Sequence, residues 1–218
     1  MHTLLVVFLC AVSTSYCMVC LPEHPQTSFC RSDYVIRGKI LPKDSKALPT
    51  KKENSSASPI SSDSLGIPAT RTVKVYVLKI FKGGKLLNAS KGDIIDIDIQ
   101  NPWQHKLLES GNYLLTGNVY NNRASISMCS WYERWHKITI VQKWGLKKYY
   151  ALNCHCRTTY CPPGEYCERN EFGCKWNVAT QEIGLLKTDC KSRISLCIFF
   201  REFKRCSWVT PSLICREP

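Results

Sequence analysis

The placement of its cysteines constrains this 218-residue chain more than any other feature. There are fourteen; none lies between residues 31 and 128, and ten lie from Cys129 to Cys215. The cysteine-free stretch must hold together through a hydrophobic core, whereas the cysteine-dense stretch is small and needs staples. The composition changes near Asn153. In a reducing compartment so many cysteines would be thiols or metal ligands; in an oxidising one they form bridges. The N-terminus points to the second case. Leu4 to Val12 is an apolar run too short to span a bilayer, and Ser13-Thr14-Ser15 follows it. This reads as a secretory signal peptide over residues 1–17, although its start lacks Lys or Arg. No later stretch is long and apolar enough for a membrane span. The expected product is secreted, soluble in the extracellular space or matrix, and disulfide-bonded. The sequons at Asn54 and Asn88 fit that route as glycosylation sites.

The region before Cys129 reads as strands. Tyr34 to Ile40 is β-rich. Val73, Val75 and Val77 alternate with Lys74 and Tyr76, and Ile95, Ile97 and Ile99 alternate with Asp96 and Asp98. Gly83-Gly84 marks the turn region between those two runs, and Asn121-Asn122 separates Tyr113–Tyr120 from Ala124–Met128 in a hairpin. Lys43 to Thr70 is a Ser-, Pro- and Lys-rich loop without periodicity. Five such strands suit a mainly β fold, a closed Greek-key barrel of the oligonucleotide/oligosaccharide-binding (OB) type, with a β-sandwich as the alternative. One helix is expected over Ile138–Lys148, flanking the barrel. Phe199, Phe200 and Phe203 read as core of the small C-terminal part.

The segment from Cys20 to Arg37 contains His24-Pro25-Gln26-Thr27, then Phe29-Cys30, Ser32-Asp33 and Val35-Ile36-Arg37. This resembles the mature opening of the tissue inhibitors of metalloproteinases, built on a netrin-like barrel. Tyr113–Gly117, Ile126–Trp131, Cys154–Cys161 and Cys174-Lys175-Trp176 resemble later parts of the same family in order. The resemblance implies a barrel domain over 18–154 and a cysteine-rich domain over 155–218. It implies the pairs Cys20–Cys129, Cys30–Cys154, Cys156–Cys206, Cys161–Cys167 and Cys174–Cys197. Cys190 and Cys215, additional to the vertebrate pattern, are left as a sixth pair, which resembles invertebrate members.

The resemblance also implies a function: a protein inhibitor of zinc endopeptidases, not an enzyme, with no cofactor of its own. Its partners would be matrix metalloproteinases or related enzymes. The mature N-terminal residue would hold the target's catalytic zinc through its free amine and carbonyl, displacing the water that serves as nucleophile. Here the chain departs from the family, which begins Cys-x-Cys. Counting back from His24-Pro25-Gln26 puts Cys20 third, so the zinc-binding residue is Met18, followed by Val19, Cys20 and Leu21 as protease-contacting residues. Cys17 lies one position too early. The partner of the missing first cysteine is also absent, because Gln100 to Lys106 holds none. Cleavage after Cys17 removes Cys10 and Cys17 from fourteen and leaves twelve, an even number. Cleavage after Ser15 is the alternative; it would retain Tyr16 and Cys17 and hold the amine away from zinc. The second class of function is a non-inhibitory matrix or receptor-binding module on the same scaffold.

With 30 Lys and Arg against 17 Asp and Glu, the net charge is +13, which favours acidic partners such as sulfated glycosaminoglycans. Lys143, Lys147, Lys148 and Arg157 form one basic group; Arg201, Lys204 and Arg205 form another. Secretion argues against nucleic acid. There is no His-Glu-x-x-His, so the chain is not itself a zincin. His24, beside Pro25, reads as packed rather than as a ligand. Cys154-His155-Cys156 reads as bridge-forming rather than zinc-binding.

Overall fold

The computed structural model describes residues 20, 23–42, 71–100, 109–161, 171–176 and 190–210. The signal segment, Met18, Val19, Leu21, the Lys43–Thr70 loop with Asn54, and Cys167 and Cys215 lie outside these residues. So the pairs Cys161–Cys167 and Cys190–Cys215 do too.

Five strands close into a barrel: β1 (Tyr34–Ile40), β2 (Arg71–Lys82), β3 (Ile94–Ile99), β4 (Gly111–Tyr120) and β5 (Arg123–Ile126). Their order is β1-β2-β3-β5-β4, and β4 pairs back onto β1. β3 and β5 run parallel while the other pairs are antiparallel, which gives the Greek-key connection of an OB barrel. Period-two alternation drives closure. Val73, Val75, Val77, Ile97 and Ile99 face inward with Tyr34, Ile36, Leu115 and Ile126. Lys74 and Asp96 face out and pair at 3.1 Å. The β4–β5 hairpin turns on Asn121 and Asn122, both left-handed at φ 48° and 61°, the backbone that a tight hairpin turn requires and that Asn tolerates. A short β6 (Tyr132–Arg134) adds to the outer edge of β4.

Helices cover one side of the barrel. α1 (Pro25–Arg31) has no counterpart in the sequence reading. The helix expected over Ile138–Lys148 starts later and runs further, as α2 (Ile140–Trp144), a π-helical turn (Gly145–Tyr149) and α3 (Tyr150–Leu152). Thr139 and Gln142 form a reciprocal capping box at its start. Val141, Leu146 and Tyr150 face inward against Phe29, Val35, Leu114 and Leu196, forming a second core.

The remaining elements are two small sheets and a short helix: β7 (Arg157–Tyr160) parallel to β8 (Gly173–Trp176), α4 (Cys190–Ile194), and the antiparallel pair β9 (Leu196–Phe200) and β10 (Arg205–Val209). Their packing is built on Cys156, Cys174, Cys197 and Cys206, with Phe199 and Trp208 against them. The phenylalanine reading needs correction. Phe200 is 37% exposed and Phe203 62% exposed. Phe200 follows Phe199 on the same strand and so points to the opposite face. Phe203 sits in the turn before β10, where Arg205 lies over its ring.

Candidate functional site

Cys20 is bonded to Cys129, with their Cα atoms 5.4 Å apart. The bond is useful only if the turn that carries Cys129 is itself fixed. That turn closes by Ser130 N donating to Ser127 O and Ser127 N donating to the Ser130 hydroxyl. Beyond it, Trp131 N donates to the Thr116 hydroxyl at 3.0 Å, and Thr116 N donates back to Trp131 O at 3.2 Å. Thr116 is fully buried in β4. A half-buried cysteine near the chain start is therefore tied through three covalent and hydrogen-bonded steps to a core strand. Gln100 N donates to Ile126 O, so the chain leaving β3 departs beside the same turn.

After Cys20 the chain enters α1, which is fixed at every side. His24 caps it: Gln26 N donates to His24 Nδ1, Pro25 occupies the first turn, and the histidine ring is buried between Trp176 and Trp208. The expectation of a packed His24 agrees with this burial. Lys82 from β2 donates to the carbonyls of Phe29 and Cys30, meeting the free acceptors and negative end of the helix. Burial lowers the pKa of Lys82, while Asp33 opposes that shift. Cys30 is bonded to Cys154, and Thr27 shares a hydroxyl hydrogen bond with Thr158 of β7. Glu23 accepts from Ser28 and pairs with Arg31.

Gln26 is the hub. Its Nε2 donates to Asn153 O and Cys197 O, and its Oε1 accepts from Cys197 N at 3.0 Å. The carboxamide is fully satisfied within the protein, joining α1 to the end of α3 and to β9. Gln26 and Thr116 lie in segments that carry the family resemblance, but nothing in the sequence names the partners of Gln26, Lys82 or Thr116; only the fold brings those to them.

A cleft of about 870 Å³ runs from the Cys20–Cys129 bond along α1 to β7, lined by Glu23, Thr27, Arg31, Arg157, Tyr160 and Trp176. Asn88 is exposed in a left-handed turn, so the sequon is accessible on the surface. Three groups that resemble metal ligands, His155, Cys156 and Cys206, lie within 4.8 Å of one another. The two cysteines are bonded together, which removes their thiolates as ligands. Cys174 is bonded to Cys197, with their Cα atoms 6.0 Å apart.

The family profile described as "Tissue inhibitor of metalloproteinase" matches residues 16–208. Metalloproteinase inhibitor 3 of Gallus gallus is 28% identical over 194 residues, covering 83% of this chain and 79% of that protein. Metalloproteinase inhibitor 3 of Xenopus laevis is 28% identical over 199 residues, covering 87% and 79%. Metalloproteinase inhibitor 4 of Mus musculus is 32% identical over 152 residues, covering 65% and 59%.

Proposed function

Because the chain belongs to the tissue inhibitor of metalloproteinase family, whose members are inhibitors rather than enzymes, we propose that it blocks zinc endopeptidases with the backbone of its own mature N-terminus. Met18 supplies the amine and carbonyl to the protease zinc, and Val19 fills the adjoining specificity pocket. Cys20 and Leu21 contact the cleft rim. A neutral amine is a good zinc ligand, and its arrival displaces the water that would attack the scissile bond. The observation that carries this reading is the tether of Cys20 to the Cys129 turn and through it to buried Thr116. Two residues upstream of a fixed point have little freedom to lose on binding. The chain has no cysteine at the family's first position, so in this reading the Cys20–Cys129 bond is the tether that counts.

The reading includes secretion, with cleavage after Cys17. It also divides the mature chain into a barrel domain over 18–154 and a cysteine-rich domain over 155–218. The signal-like N-terminus, the exposed sequon at Asn88 and the disulfides seen among the described residues support secretion.

One experiment tests the mechanism. Mass spectrometry of the secreted chain identifies the mature N-terminus. A variant with one alanine added before that residue is then assayed against a metalloproteinase panel. The extension is expected to weaken inhibition by more than about a hundredfold, because the amine no longer reaches zinc. Unchanged inhibition would exclude amine chelation, and no inhibition by either form would favour the non-inhibitory matrix-binding module.

A further inference from the structure

The α2–π–α3 segment buries one side and leaves the other bare. Inward, Val141, Leu146 and Tyr150 join the second core. A flank is taken up by α4, where Gln142 Nε2 donates to Ser192 O and the Thr139 hydroxyl donates to Arg193 O. Outward, Ile140 is 50% exposed, Trp144 43% and Leu152 62%. These three stand with Lys148 at four-residue steps. Such a step overshoots a full turn by about 40° in an α-helix and falls short of one in a π-helix. The π turn over Gly145–Tyr149 therefore keeps all four in one row. Lys143 and Lys147 flank that row. None of these three lysines is ion-paired among the described residues, and residues 135–153 contain no Asp or Glu.

The geometry points to a docking face for an anionic lipid surface. Ile140, Trp144 and Leu152 enter the headgroup–acyl boundary, and Lys147 and Lys148 extend to lipid phosphates or carboxylates, while Lys143, whose Nζ stands 5.2 Å from the centre of the Trp135 ring, adds its charge behind them. A row of apolar side chains bordered by lysines that have no acidic partner among the described residues, with an aromatic amphiphile in the middle, is the pattern that interfacial helices use; Lys148 also stands over the Tyr149 ring at 5.7 Å. The charge is complementary to acidic lipids, and each lysine near such a surface adds to attraction. A sulfated polysaccharide would engage the lysines but gain nothing from exposed Ile140 and Leu152. The row's polar side-chain atoms are the Trp144 indole N–H and the Lys148 ammonium, both on side chains that keep an apolar body in lipid and a polar tip in water. No helix among the described residues is long and apolar enough to cross a membrane, so the segment lies along the surface. This assignment is independent of the zinc-directed N-terminus.

The test is flotation of the full secreted chain with phosphatidylcholine vesicles, with and without phosphatidylserine, beside a heparin column run in parallel. The chain is expected to float with phosphatidylserine vesicles and not with phosphatidylcholine alone. Ile140→Ser with Trp144→Ser is expected to weaken vesicle binding more than about tenfold while leaving heparin retention unchanged. Lys147→Ala with Lys148→Ala is expected to weaken vesicle binding by about tenfold or more. All four positions are exposed, and an unchanged melting temperature checks that the variants are folded. Failure to float with phosphatidylserine vesicles overturns the assignment. So does flotation that ignores the Ile140 and Trp144 changes, or retention on heparin alone; both would make the face a plain charge patch.

Discussion

Tyr150 carries its ring into the second core and its hydroxyl with it, and that oxygen finds no hydrogen-bond partner among the described residues. Tyr34, in the barrel core, donates its hydroxyl to Ser125 O at 3.2 Å. Tyr150→Phe is therefore expected to be neutral or stabilising, whereas Tyr34→Phe should lose about 1 kcal/mol; urea unfolding at neutral pH separates them. Burial raises the pKa of both phenols well above the ordinary value of 10, and for Tyr34 the Asp98 charge adds to it. A folded-state pKa above the unfolded one means stability that is complete below pH 10 and lost as pH rises beyond it. Each buried tyrosine should remove about 1.4 kcal/mol per pH unit in that range, and Tyr34→Phe should make the alkaline decline shallower. The residues that build the site divide by how they act. Cys20 and His24 could be read from the sequence, one through its chemistry and the other through its neighbour Pro25. Gln26, Lys82 and Thr116 could not, because a polar side chain in a string says nothing about distant carbonyls.

At the scale of elements, legibility followed periodicity. The strands with alternating valines and isoleucines were readable because one buried face imposes a period of two, and the paired asparagines marked the hairpin. α1 was missed because seven residues held by a cap, the bond of their own Cys30 to Cys154, the Cys20–Cys129 bond just upstream and a lysine from β2 need no apolar stripe of their own. Its remaining trace, Pro25 after the capping His24, was visible but not used. β6 was missed because three residues carry too little pattern. The long helix was displaced by its π turn, which shifts the apolar face midway. That turn depends on Gly145: a Cβ there would stand 2.3 Å from the Tyr150 ring. Gly145→Ala is expected to cost about 1–3 kcal/mol by denaturant unfolding, in contrast to the gain that alanine brings to an open helix.

For the whole molecule, two bridges close very long loops. Cys20–Cys129 spans 109 residues and Cys30–Cys154 spans 124. Replacing Cys20 and Cys129 together by serine should lower stability by about 3–5 kcal/mol in thermal or denaturant unfolding. On the proposed mechanism inhibition should fall further than the population of folded protein, because Cys20 then loses its bond to the Cys129 turn; a fall matching the unfolded fraction alone would contradict the tether's role. The cysteine distribution made the disulfide-bonded character legible from the start, but not how α1 meets the later elements. That meeting runs through Gln26, whose one carboxamide stitches α1 to the end of α3 and to β9. Any fragment cut at residue 154 would unpick this seam, wetting Gln26 and taking Leu196 from beside Phe29. Weak inhibition by such a fragment would then record damage to the platform beneath the N-terminus, so swapping whole chains between orthologues, seam included, is the sounder way to dissect it.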